Sequence, residues 1–152
     1  MFRLSVTWVL MFRAFALLLL STASAMAWEV VPGDICEIRH TQDSAVVSVT
    51  YDLQSLDYAI AITLDEPWIA SSVFALRFDG PASNMISTNR HILSDDDATL
   101  TVTDRGFGNV LNGLAFNETA TALLGEQSVV LLLDGAAPAV QAFQACTRSL
   151  RV

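Results

Sequence analysis

Side chains with chemical potential gather in two stretches. Asp104-Arg105-Gly106-Phe107-Gly108-Asn109, followed by Asn112-Gly113, sets a carboxylate and a guanidinium beside two glycines that flank an aromatic. Glycine reaches backbone conformations that other residues avoid, and loops on a rigid scaffold carry function more often than strands. Asn89-Arg90-His91 adds an imidazole base and a second guanidinium, with Asp95, Asp96 and Asp97 close behind. Within that trio the histidine could act as base and the arginine as anion clamp, and Asp104, Arg105 and His91 together could form a small hydrolase or lyase cleft. The candidate binding loop is thus Arg90, His91, Asp104, Arg105, Gly106, Phe107, Gly108 and Asn109.

Stricter signatures fail. The glycines lack the third member of a dinucleotide fingerprint at its required spacing. Counting an EF-hand loop from Asp95 puts Leu100 and Gly106 where a glycine and a glutamate are needed. No G-x-S-x-G supplies a nucleophile elbow. His40 and His91 are the only histidines and share no metal-ligand spacing, so no metal and no cofactor is expected. All 8 positive charges are arginines, which removes a Schiff-base lysine and the lysine of a P-loop. A formal charge of −8 argues against nucleic acid or an anionic membrane surface as partner. Trp68 and Phe74 could grip a sugar or peptide, although Trp68 after Glu66-Pro67 also reads as a cap on the core. Asn117-Glu118-Thr119 has the pattern of an N-glycosylation acceptor.

The elements that must position these residues read mostly with period two. Val47, Val49 and Tyr51 share one face, as do Tyr58, Ile60, Ile62 and Leu64, then Phe74, Leu76 and Phe78, then Leu100 and Val102. Such alternation marks half-buried strands with one wet face. Turn residues punctuate them at Gln42-Asp43-Ser44, Asp52 to Asp57, Asp65-Glu66-Pro67, Asp79-Gly80-Pro81 and Ser94 to Asp97. The unbroken apolar run Ser128 to Leu133 predicts a central strand covered on both faces. Asn117 is placed to cap a short helix through Leu124, stopped by Gly125. A second helix is expected from Pro138, with Ala139, Ala142, Phe143 and Cys146 as its apolar stripe. The predicted fold class is mainly β: an antiparallel sheet, rolled or sandwiched, with a short helix and a closing C-terminal helix.

The first 27 residues read as a secretory signal peptide. Arg13, the apolar run Ala14 to Leu20 and the small residues ending at Ala25-Met26-Ala27 give its three parts, with Met11 as the expected start. Arg13 leaves the apolar run far short of the roughly 20 residues that span a bilayer. Residues 28–152 then form one acidic, β-rich domain, periplasmic or secreted, with no membrane span. Cys36 and Cys146 are the only thiols, one near each end of that domain. A redox pair would normally sit as C-x-x-C, and a metal site would want more ligands nearby. In an oxidising compartment the expectation is a structural disulfide between them.

Several stretches carry a family resemblance: "CEIRH", "VTYD", "FALRFDGP", "ISTNRHILS", "TLTVTDRGFGNVLNGLAFN" and "LDGAAPAVQAFQAC". Over nearly all of Trp28 to Cys146 the chain resembles small exported proteins of alphaproteobacteria, mainly of the Rhodobacter kind, with no established activity. Some of these bear the name of an excinuclease ABC component, which does not suit a chain without a P-loop lysine. The resemblance implies export and a shared fold and lends no catalytic residue. The function expected from all this is a non-enzymatic binding or structural module of the cell envelope, its partner another periplasmic or envelope protein. Two alternatives stand beside it: the hydrolase or lyase cleft around His91, Asp104 and Arg105, and a carrier holding an apolar ligand between sheet and helix.

Overall fold

The alternating stretches fold into ten antiparallel strands in a computed structural model that describes residues 27–150. The predicted leader lies outside the described residues, Ala27 apart. In chain order the strands are β1 (Glu29–Val31), β2 (Cys36–Gln42), β3 (Ala45–Asp52), β4 (Asp57–Leu64), β5 (Phe74–Asp79), β6 (Asn84–Thr88), β7 (Ile92–Leu93) and β8 (Thr99–Asp104). Helix α1 (Gly108–Phe116) follows, then β9 (Thr119–Leu124), β10 (Gln127–Leu132) and helix α2 (Ala136–Ser149). One sheet runs β1-β2-β3-β4-β8-β7 and the other β10-β9-β5-β6. Val47, Val49, Ile60, Ile62 and Leu100 of the first and Phe74, Leu76, Phe78, Ala120 and Ala122 of the second fill one core. The mainly β expectation is met as a sandwich, with a short helix mid-chain and another closing the C-terminal end.

Two local expectations are corrected. Residues 118–124 are not a helix. Thr119–Leu124 form β9, which pairs with β5 on one side and β10 on the other, and Asn117 ends a helix instead of starting one. The helix lies just before, over Gly108–Phe116, with Val110, Leu111, Gly113 and Leu114 buried. Glycine and asparagine are poor helix formers, so packing decides the matter here. Gly113 lies so close to the Phe78 ring that a Cβ in its place would collide with the ring carbons.

The second correction exchanges centre and edge. The run Ser128 to Leu133 overlaps β10, an edge strand whose Val130 and Leu132 are exposed, while β9 is the strand flanked on both sides. An apolar run by itself cannot say on which side a strand will find neighbours. The C-terminal helix forms two residues ahead of Pro138, and its buried stripe is Ala136, Ala139, Val140, Phe143 and Thr147, with Ala142 exposed.

The disulfide Cys36–Cys146 ties β2 to α2, its Cα atoms 5.8 Å apart and its cysteines 110 residues apart in sequence. Beside it Tyr51, Tyr58, Phe107 and Phe143 form an aromatic cluster. Tyr58 contacts the other three rings at centroid distances of 4.6, 5.7 and 6.2 Å. This cluster joins β3, β4, α2 and the entry to α1. It pins the Gly106-Phe107-Gly108 turn to the core through Phe107, which is buried.

Candidate functional site

A sandwich has two open sides where its sheets end, and this protein treats them differently. On the β10 side the outward backbone groups of Val130 and Leu132 are bonded by the side chains of Gln42 on β2 and of Trp28 just before β1. Gln42 donates its Nε2 to the carbonyl of Val130 (2.7 Å) and accepts the N–H of Leu132 on Oε1 (2.8 Å), taking the place of a neighbouring strand. Trp28 donates its indole N–H to the carbonyl of Leu132 (3.1 Å). His40, almost fully buried, stacks on that indole at 5.0 Å and sets Nε2 3.3 Å from Gln42 Oε1. Because Oε1 is an acceptor, Nε2 carries the proton and the buried Nδ1 is left without a partner. These bonds close the Val130–Leu132 part of the β10 edge, while a groove of about 470 Å³ bordered by Ser44, Leu64, Glu66, Gln127 and Ser128 lies beside the rest of it.

The β6 side is open. Strand β6 has β5 on one side and no strand on the other. The carbonyl of Asp79 accepts the N–H of Glu118, so Asp79, and by alternation Arg77 and Ala75, aim their backbone at β9. Phe78, Leu76 and Phe74 therefore bond Asn84, Ile86 and Thr88, which leaves the backbone of Met85 and Ser87 facing outward. The N–H of Met85 is taken by the side-chain oxygen of its own neighbour Asn84, in keeping with this. Across the gap, β7 stops at Ile92 opposite Thr101, so the next outward-facing backbone of β8, at Thr103, has no strand beside it.

Between these two free edges lies a groove of about 180 Å³. It is lined by Ile86, Ser87, Thr88 and Arg90 from the β6 side and by Val102, Asp104, Gly106, Phe107, Asn109 and Val110 from β8 and the start of α1. Beneath it a wholly apolar space of about 30 Å³ continues between the sheets, bounded by Ile60, Phe74 and Leu76. That inner space is about the size of one water, and its apolar walls offer a water no hydrogen-bond partner. The outer groove falls below the roughly 300 Å³ at which small-molecule pockets begin. It suits one or two side chains of a polymer better than a free ligand.

An ion pair spans one end of the groove: Arg90, just past β6, donates Nη2 to Asp104 Oδ2 at the end of β8. The Arg90 hydrogen bond and the backbone N–H of Arg105 hold the Asp104 carboxyl below the usual carboxylate range, so it is ionised at neutral pH. Both partners are well exposed, and such a pair contributes little to stability. It orients the rim instead.

Of the residues singled out from sequence, Arg90, Asp104, Gly106, Phe107 and Asn109 meet in this groove. His91, Arg105 and Gly108 are not among its lining. The His91 ring packs near Phe74 at 6.3 Å with a buried Nδ1 that has no partner, and Arg105 lies 3.6 Å from Asp57. Gly108 opens α1. Asp96 belongs to a turn: it accepts the Ser94 hydroxyl and the N–H of Ala98, which lower its carboxyl, the Ser94 bond most. Trp68 is buried and donates to the carbonyl of Ile62, so its indole is part of the core. Asn117 is nearly buried, with its amide bonded to both backbone groups of Ala82 and to Gly113, which leaves no free acceptor for a glycan in the folded chain. Among the described residues no His, Cys, Asp or Glu cluster could hold a metal ion, and no helix is long and apolar enough to cross a membrane.

Sequence reading did not find Ile86, Thr88 or Val110 as groove residues. The alternation of Ile86 and Thr88 is visible in Asn-Met-Ile-Ser-Thr, but it is too short to rank as a strand without its partner β5. The comparisons give no relative to read the groove against. The chain matches no family model, no curated protein and no solved structure.

Proposed function

We propose that this protein is an exported, non-enzymatic binding module of the cell envelope, which takes a segment of another envelope protein on the open side of its sandwich. The observation that carries this reading is the asymmetry between the two sides. One edge is closed by Gln42 and Trp28, while Ser87 and Thr103 present free backbone groups above an apolar floor. Long exposed strand edges invite pairing with other chains, and proteins usually blunt them. An edge left open beside a shaped groove is where strand addition takes place. The leader-like first 27 residues and the disulfide support an exported setting.

Position-specific crosslinking in the envelope of the host tests it. A photoreactive residue placed at Ser87 is expected to give one discrete adduct with an envelope protein, and the same residue at Val130 on the closed side none. Adducts at both sites, or at neither, would refute the reading.

A further inference from the structure

We infer that the occupant of the open side is an extended, positively charged protein segment that adds to β6 as a further strand and sets an aliphatic side chain into the groove; this rests on the binding-module reading above. Backbone geometry comes first. Met85 and Ser87 send their main-chain groups outward from β6, so an incoming strand would find the N–H and C=O of Ser87 unengaged. Strand side chains alternate between faces, so every second side chain of that segment would point between the sheets.

The space waiting there is apolar. Ile86, Val102, Phe107 and Val110 line it, and it continues into the void bounded by Ile60, Phe74 and Leu76. Its size admits an aliphatic side chain of the Val or Leu kind. The intervening side chains would face solvent, beside the exposed Met85.

Charge selects among such segments. The chain carries 16 acids against 8 arginines. Along this side of the molecule Asp95, Asp96 and Asp97 lie exposed in the turn from β7 to β8, and Asp104 stands at the far end of β8. The three arginines nearby are all engaged, Arg90 with Asp104, Arg105 with Asp57 and Arg77, the cross-strand partner of Met85, with Asp79. These pairs cancel, and Asp95, Asp96 and Asp97, which face no cation among the described residues, leave the edge negative. It attracts a segment with lysines or arginines on its outward or flanking positions and repels an acidic one.

The probe is the synthetic peptide Lys-Lys-Thr-Val-Thr-Val-Thr-Lys-Lys, compared with the same peptide carrying glutamate for every lysine. Titrated into the purified protein, the lysine peptide should shift the amide resonances of Ser87, Met85 and Thr103. It should bind at least about tenfold more tightly than the glutamate peptide, with that margin shrinking in salt. N-methylation of its central threonine, which would face Ser87 in an antiparallel addition, should abolish binding by removing a ladder hydrogen bond, and Ser87→Pro should do so from the protein side. The N-methyl peptide keeps the test decisive if the proline variant does not fold. Equal binding of the two charged peptides would overturn the charge selection and leave the Ser87 crosslink untouched. Binding by neither, or shifts at those same amides that follow protein concentration alone and so report a second copy as occupant, would overturn the inference. A missing crosslink at Ser87 would instead overturn the reading beneath it.

Discussion

Trp28→Ala is expected to destabilise the protein by about 3–5 kcal/mol, in the range of large aromatic truncations in cores. Trp28 is 6% exposed, and three losses coincide on its removal. A cavity opens beneath β1, the stacked His40 loses its partner, and the carbonyl of Leu132 loses the indole N–H. His40 makes the site unforgiving, because it is buried with Nδ1 already unpaired. Water entering beside it would also compete for Gln42, the side chain that holds Val130 and Leu132. The measurement is the urea midpoint at unchanged slope. A midpoint within the scatter of a surface substitution would show that the β10 side is not closed in this way.

Removing the disulfide should have an effect of similar size. Replacing both Cys36 and Cys146 by Ser frees a loop whose ends are 110 residues apart. The chain-entropy model assigns such a closure about 5 kcal/mol, and removals from small exported domains cost about 2–5 kcal/mol. The bond joins β2 to α2, so its loss should loosen the helix from the sheet before the strands separate. Thermal unfolding of the double variant, followed in the far and near ultraviolet, should show α2 and the Tyr51–Tyr58–Phe107–Phe143 cluster melting first. A melting temperature equal to that of the parent would refute the staple.

Much of this architecture was legible in the residues. Strict alternation such as Val47-Val49-Tyr51 facing Tyr58-Ile60-Ile62 fixes both strand type and buried face, because a one-residue slip would reverse every side chain. The terminal cysteines and the helix carrying Cys146 were legible for the same reason: local pattern and global closure agree. Where they disagree, reading fails. Gly108–Phe116 holds two glycines and two asparagines, and it is helical because Gly113 lets it lie on Phe78. Ser128 to Leu133 looks central and lies at an edge, because Gln42, remote in sequence, supplies the missing neighbour.

The groove was half legible. Arg90, Asp104, Gly106, Phe107 and Asn109 drew attention by type, and they do converge. Their meaning did not follow from type, since Phe107 is fixed to the core by Tyr58 and Asp104 is tied to Arg90. The informative feature is a backbone one. It depends on where β7 stops and on which residues of β6 face outward, and no side-chain motif records either.

The central claim is that the Val130–Leu132 edge of the sandwich is closed by side chains and the β6 edge is free to accept a strand. Amide hydrogen exchange on the intact protein tests it most directly. The N–H of Leu132, held by Gln42, should exchange slowly although β10 is an edge, while those of Ser87 and Thr103 exchange fast and that of Ser87 becomes protected when the lysine peptide is added. Fast exchange at Leu132, or slow exchange at Ser87 and Thr103 in the free protein, would contradict the account.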